Sequence, residues 1–207
     1  MKTSLPSLSF LLSLFLSSFF HGEAAVSVLD VDGNGVQSGV KYYVVPVSQT
    51  QGGGLDLLTP TTRCPRSVIQ VGPKVTGGAV VFTPAVATKK GVVVNGTDLN
   101  VEIFPSAANA GKCSNVWRIS GNDPENVDVA QFVVSSGVKG NPSSSTAVNW
   151  FMILKSVNGY KFNFCPVSLC DCNPVCQDIG ISVNKAGKRL LKVDMSLPTF
   201  EVNFKKA

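Results

Sequence analysis

Short apolar runs separated by turn-forming residues recur along the chain, and this pattern restricts the fold more than any other feature. Runs at 40–47, 67–71, 79–82, 91–94, 99–104, 116–119, 132–135, 150–157, 160–164, 179–183, 189–193 and 200–204 are rich in Val, Ile, Leu and Phe. Between them stand Asp32-Gly33-Asn34-Gly35, Gly52-Gly53-Gly54, Gly77-Gly78, Asn95-Gly96, Gly121-Asn122-Asp123-Pro124, Gly140-Asn141-Pro142, Asn158-Gly159 and Ala186-Gly187. Such runs, bounded by turn residues, predict about a dozen strands. No stretch of ten or more residues keeps a 3.6-residue apolar period. An all-β chain must pair or cover its sheet edges, so a sandwich or a closed barrel is expected. Asn158-Gly159 is the best hairpin signal, because Asn-Gly tolerates the positive φ of a two-residue turn. The segments 106–111 and 137–147 are long and polar and are expected to be exposed, with Ser143, Ser144 and Ser145 the most mobile.

The first 24 residues carry one cation, Lys2, then a nearly unbroken apolar run over 8–20 and a small or polar tail through Gly22 and Ala24. They read as a secretory signal peptide cleaved after Ala24, leaving 25–207 as a single domain. The apolar run is too short for a bilayer, which needs roughly twenty residues, so no membrane partner is expected. Export takes away His21, the only histidine of the chain. Without imidazole the mature chain has no Ser-His-Asp or Cys-His nucleophile and no His metal ligand, so an enzyme is disfavoured and no cofactor or metal is expected. Losing Lys2 and Glu23 leaves the net charge at +5. The cations fall in isolated pairs, Lys89-Lys90, Lys188-Arg189 and Lys205-Lys206, without interleaved aromatics. They read as solvated surface, not as a nucleic-acid site.

Six cysteines remain: Cys64, Cys113, Cys165, Cys170, Cys172 and Cys176. An even number in an exported chain points to disulfides, with fifteen possible pairings. The Cys-x4-Cys-x-Cys-x3-Cys interval lacks the paired C-x-x-C knuckles of a tetrathiolate zinc site. The simplest nesting joins Cys64 to Cys113 and Cys165 to Cys176. Cys170 and Cys172 are then left free, paired with each other or paired between chains. Asp30-x-Asp32-x-Asn34-Gly35 begins like a calcium loop, but Lys41 stands at the closing position and strand residues follow, so it reads as a turn. Asn95-Gly96-Thr97 is the one N-glycosylation sequon, since Asn141-Pro142-Ser143 has Pro in the forbidden place.

Longer stretches carry a family resemblance. Val28-x-Asp30-x-Asp32-Gly33-Asn34-x-Val36 with Tyr42-x-Val44 is similar to the N-terminal signature of the plant Kunitz-type (soybean trypsin inhibitor) family. Arg63-Cys64-Pro65, Phe82-Thr83-Pro84, Thr97-Asp98-Leu99-Asn100-Val101 and Trp117 follow in that family's order. So do Tyr160-Lys161-Phe162-x-Phe164-Cys165-Pro166, Cys176-x-Asp178-Ile179-Gly180-Ile181, Lys188-Arg189-Leu190 and Phe200-x-Val202-x-Phe204. The extra cysteines near the C-terminus resemble the miraculin-like branch.

The resemblance implies a disulfide-bonded β-trefoil: twelve strands in three pseudo-repeats, six forming a barrel and six capping it. It implies the bridges Cys64–Cys113 and Cys165–Cys176, with Cys170–Cys172 the candidate for a third. It further implies a monomeric, secreted or vacuolar inhibitor of serine endopeptidases, with cysteine proteases as second targets. The inhibitor would present the loop Pro84-Ala85-Val86-Ala87-Thr88-Lys89-Lys90-Gly91 as a substrate mimic. A loop held in advance loses little entropy on docking. Ungapped counting places Val86 at the specificity position, suited to a small apolar pocket, while Lys89 or Lys90 at the tip would suit a trypsin-like pocket. Ser38 stands where tight inhibitors of the family brace the loop with Asn, so a looser loop is expected. The rival reading is a defence, storage or binding protein of the miraculin-like kind on the same scaffold, with weak or no inhibition.

Overall fold

A computed structural model describes residues 26–59, 63–88, 90–106, 113–121, 130–170 and 176–207. The predicted leader, residues 1–24, lies outside them. Among the described residues twelve strands run in the order β1 Lys41–Pro46, β2 Leu55–Leu57, β3 Val68–Gln70, β4 Ala79–Pro84, β5 Leu99–Phe104, β6 Arg118–Ile119, β7 Gln131–Val134, β8 Met152–Lys155, β9 Tyr160–Phe164, β10 Gln177–Val183, β11 Arg189–Val193 and β12 Glu201–Lys206.

Their pairing resolves into two layers. β12 pairs with β1, β1 with β4, β4 with β5, β8 with β9 and β9 with β12, all antiparallel. A bridge between Leu99 of β5 and Phe151, just before β8, closes the ring into a six-stranded barrel. The other six strands form three hairpins, β2–β3, β6–β7 and β10–β11. These meet through β11–β3, β11–β7 and a Ser67–Val134 bridge, capping the barrel. Strands β1–β4, β5–β8 and β9–β12 are thus three copies of one unit, which is a β-trefoil.

Alternation along each strand decides what faces the barrel axis. In β1, Tyr42, Val44 and Pro46 point inward while Lys41, Tyr43 and Val45 are at least partly exposed. Phe82 of β4, Phe162 of β9 and Phe204 of β12 meet inside the barrel with ring centroids 5.2–6.4 Å apart, partly edge to face. Trp117 stands edge-on to Phe151 and Phe162 at 5.8 and 5.2 Å. Truncating one such ring costs about 3–5 kcal/mol, because the neighbours cannot collapse into the void.

Several expectations are corrected. The run 91–94 forms isolated bridges to the N-terminal segment in place of a strand. A three-residue strand, β2, was not expected, because Leu55-Asp56-Leu57 is too short to show a period. Its Asp56 is buried, accepting the Leu57 N–H and the Ser106 hydroxyl. The segment 137–147 is not uniformly exposed. It leads into a 3-10 helix, Ser144–Asn149, in which Thr146, Ala147 and Asn149 are buried and the Thr146 hydroxyl accepts from the Trp150 indole. Residues 107–111 of the other expected loop lie outside the described residues. The turn before β9 also differs: Ser156 N–H donates to the Gly159 carbonyl, leaving Val157 and Asn158 at the tip. Gly159 is needed for space, since a Cβ there would sit 2.6 Å from the Val202 carbonyl oxygen.

The disulfides Cys64–Cys113 and Cys165–Cys176 are formed, with Cα atoms 5.8 and 4.4 Å apart. Closing sequence separations of 49 and 11 residues stabilises by about 4 and about 3 kcal/mol in the chain-entropy model. Cys170 is also disulfide-bonded. Cys172, its expected partner, lies outside the described residues.

Candidate functional site

The site grows out of the connection between the first and second repeats. β4 and β5 pair as far as Pro84–Leu99, and one more bond, Ala85 N–H to the Asp98 carbonyl at 2.8 Å, extends the ladder. Beyond Ala85 the chain leaves the barrel. Val86 is 80% exposed, Ala87 and Lys90 are exposed, and Thr88 is half-buried. Lys89 lies outside the described residues. The excursion ends at Gly91, whose N–H donates to the Thr88 carbonyl at 3.0 Å and whose φ of +66° favours glycine, while the Thr88 hydroxyl donates to the Val92 carbonyl at 2.9 Å.

From Val92 onward the chain is fixed again. Residues 92–95 pair with the N-terminal segment through the Ser27–Val94 and Gln37–Val92 bridges and the bonds Val28 N–H to Val93 O, Val93 N–H to Val36 O and Asn95 N–H to Val26 O. That segment is itself a hairpin. The Asp30 carboxylate accepts the N–H groups of Asp32 and Asn34, closing the turn that the sequence motif implied. Two core tyrosines hold it from below, the Tyr160 and Tyr42 hydroxyls accepting from Leu29 N–H and Gln37 N–H at 2.9 and 3.0 Å.

Ser38 lies at the junction of both arms. Its N–H donates to the Gly91 carbonyl at 2.7 Å and its hydroxyl to the Phe82 carbonyl at 3.2 Å. It therefore ties the incoming strand to the outgoing one. Asp98, at the foot of the loop, is buried; its carboxylate accepts the Ser168 hydroxyl, and its second oxygen has no partner among the described residues. Burial pushes the Asp98 carboxyl above its ordinary value, against the Ser168 hydrogen bond. Asp98 and Ser168 join the loop's stem to the Cys165–Cys176 segment, a contact without a sequence signal. Asn95 is half-buried, with its side-chain oxygen accepting Lys155 N–H at 2.6 Å and its neighbour Gly96 donating to the Ile153 carbonyl.

Chemically the arrangement offers an exposed stretch at Val86 and Ala87 between two pinned ends. Among the described residues, no three His, Cys, Asp or Glu side chains could hold a metal ion.

A family model described as "Trypsin and protease inhibitor", the legume Kunitz family, matches residues 28–206. The 21 kDa seed protein of Theobroma cacao is 37% identical over 100% of this chain and 95% of its own. Kunitz trypsin inhibitor 5 of Arabidopsis thaliana is 35% identical over 89% of this chain and 88% of its own. Among solved structures, a Kunitz-type cysteine protease inhibitor from potato superimposes with a TM-score of 0.72, covering 89% of this chain and 98% of its own at 24% identity, which speaks for the fold alone.

Proposed function

Because the chain belongs to the legume Kunitz family of trypsin and protease inhibitors, we propose that it inhibits serine endopeptidases through the loop 84–91. The observation that carries this is the contrast along the loop. Val86 and Ala87 are exposed, whereas Ala85 and Gly91 on either side are hydrogen-bonded to Asp98 and Ser38. A protease that cuts such a loop faces two ends that cannot separate, and a loop already ordered loses little entropy on docking.

Val86 is the residue presented to the specificity pocket. Its small branched side chain fits an apolar, elastase-like pocket better than the carboxylate-bearing pocket of a trypsin-like enzyme; Lys89 or Lys90 serves that second class. We further propose export by cleavage after Ala24, a glycan on Asn95 that shields the distal arm of the loop, a third bridge between Cys170 and Cys172, and a monomeric inhibitor. Papain-like enzymes, the second targets that the family resemblance implies, are the next to try.

Titrating elastase, chymotrypsin, trypsin and a papain-like protease with the oxidised chain tests the reading. Inhibition of elastase at micromolar concentration or below, weakened about 100-fold or more in Val86→Asp, is the expected result. No inhibition of any serine enzyme overturns it and favours the storage or defence reading, which the likeness to a cacao seed protein and the short side chain at Ser38 support.

A further inference from the structure

A cavity of about 370 Å³ opens where the end of β1, the β10–β11 hairpin and the approach to β12 meet, and it shares no residue with the loop 84–91. Pro46, Val47, Ile181, Val183, Pro198 and Phe200 give it apolar walls. Arg189, half-buried at the start of β11, supplies its cation. The guanidinium is held in place: its Nε donates to the Gln70 side-chain oxygen at 2.8 Å. Buried Gln70 is in turn oriented by donating its amide to the Gly53 carbonyl at 3.1 Å.

Among the described residues no carboxylate forms an ion pair with this guanidinium. Among the described residues the ion pairs are Lys139–Glu102, Lys161–Asp178 and Lys192–Asp194. The one acidic residue on the cavity wall, Glu201, has both oxygens taken by the neighbouring hairpin turn, accepting from the Ser156 hydroxyl and from the Asn158 N–H and side-chain amide. Lys185 and Lys188 are exposed in the turn leading into Arg189, and Lys74 lies four residues beyond Gln70, the register partner of Arg189.

A planar guanidinium whose Nε is already bonded keeps its Nη hydrogens for a ligand, and their fork matches a carboxylate. The volume falls within the range of small-molecule sites, which combine apolar walls with a few fixed polar groups. We propose that this cavity binds a small aromatic monocarboxylate, its carboxylate on Arg189 and its ring system against Phe200, Pro46 and Pro198. The site stands independently of protease inhibition.

The test is a titration of the oxidised chain with 2-naphthoate, followed by backbone amide shifts in NMR spectra. The expected result is a saturable response centred on Val47, Ile181, Val183 and Phe200. Binding should weaken by about tenfold or more when the neutral 2-naphthamide replaces the acid, and equally when 2-naphthoate meets Arg189→Gln. Arg189→Lys, which keeps the charge but loses the fork, should fall between. Equal affinity for acid and amide overturns the proposal, as does a response centred elsewhere or none up to millimolar ligand. The acid–amide comparison uses the parent chain alone and so holds even if Arg189→Gln fails to fold.

Discussion

The connection 85–98 and the turn 156–159 occupy equivalent places in the trefoil, each joining the last barrel strand of one repeat to the first of the next. Both leave the barrel at the same end and both carry a valine at the tip, Val86 at 80% and Val157 at 91% exposure. The short one is a closed hairpin. Lys155 pairs with Tyr160, and the Glu201 carboxylate gathers Ser156 and Asn158 beneath it. Its backbone is spent on itself, so no extended stretch is left for a protease cleft. The long one exposes Val86 and Ala87, and it is secured by main-chain bonds to a hairpin from the chain's own N-terminal segment. Exposure of an apolar side chain therefore does not distinguish the two tips; the way their ends are held does.

The largest expected effect separates the two tips. Val86→Asp should weaken inhibition of an elastase-type enzyme by about 100-fold or more, the scale of a central interface residue, whereas Val157→Asp should leave the inhibition constant unchanged. Equal losses would show that both tips touch the enzyme and end the distinction.

Next comes the junction of the arms. Ser38→Ala removes the hydroxyl bond to Phe82 but keeps the N–H bond to Gly91. Inhibition should weaken about fivefold, as for one neutral hydrogen bond, with Ser38→Asn restoring it. A Ser38→Ala variant as potent as the parent would place the whole brace in the main chain.

Asp98 sharpens the comparison from below the loop. Because burial raises its carboxyl above 3.8, the folded state carries a penalty at neutral pH that fades as pH falls and the group protonates. Asp98→Asn should raise the melting temperature at pH 7 by about 2–4 °C, with the gap narrowing toward pH 4. A variant that is less stable at pH 7 would mean that the Ser168 bond outweighs desolvation.

Glu201 is the smallest case and has the opposite sign. Hydrogen bonds from Ser156 and Asn158 hold its carboxyl below the ordinary 4.5, so its contribution is present above that pH and is lost as pH falls through the folded value. Glu201→Gln should lower the melting temperature at pH 7 by about 1–2 °C. The difference should vanish in acid, while inhibition at pH 7 stays intact.

Much of this was legible in the residues. The strands Leu99–Phe104, Tyr160–Phe164 and Arg189–Val193 match the apolar runs end for end, because alternation is set within a strand by which face meets the core. The Asp30 turn was readable because an Asx side chain satisfies its own local backbone. The family motifs marked the loop 84–91. Nothing local showed that Arg66, in a polar Arg-Cys-Pro-Arg-Ser stretch, would be 1% exposed, with its guanidinium donating to Asn115. Nor did it show that Gly159 serves a close approach and not a turn dihedral.

By itself, then, the sequence determined the all-β class, which follows from period and turn chemistry, while the three-fold repetition and the place of the candidate inhibitory loop were what the family resemblance implied. Only the tertiary structure decided which tips are held and by what. The bonds that settle it join residues far apart in the chain: Ser38 to Phe82 and Gly91, Asp98 to Ser168, Glu201 to Ser156, and Gln70 to Arg189. A polar group's ionisation, burial and purpose depend on partners that closure of the barrel brings to it, and no window of local sequence contains them.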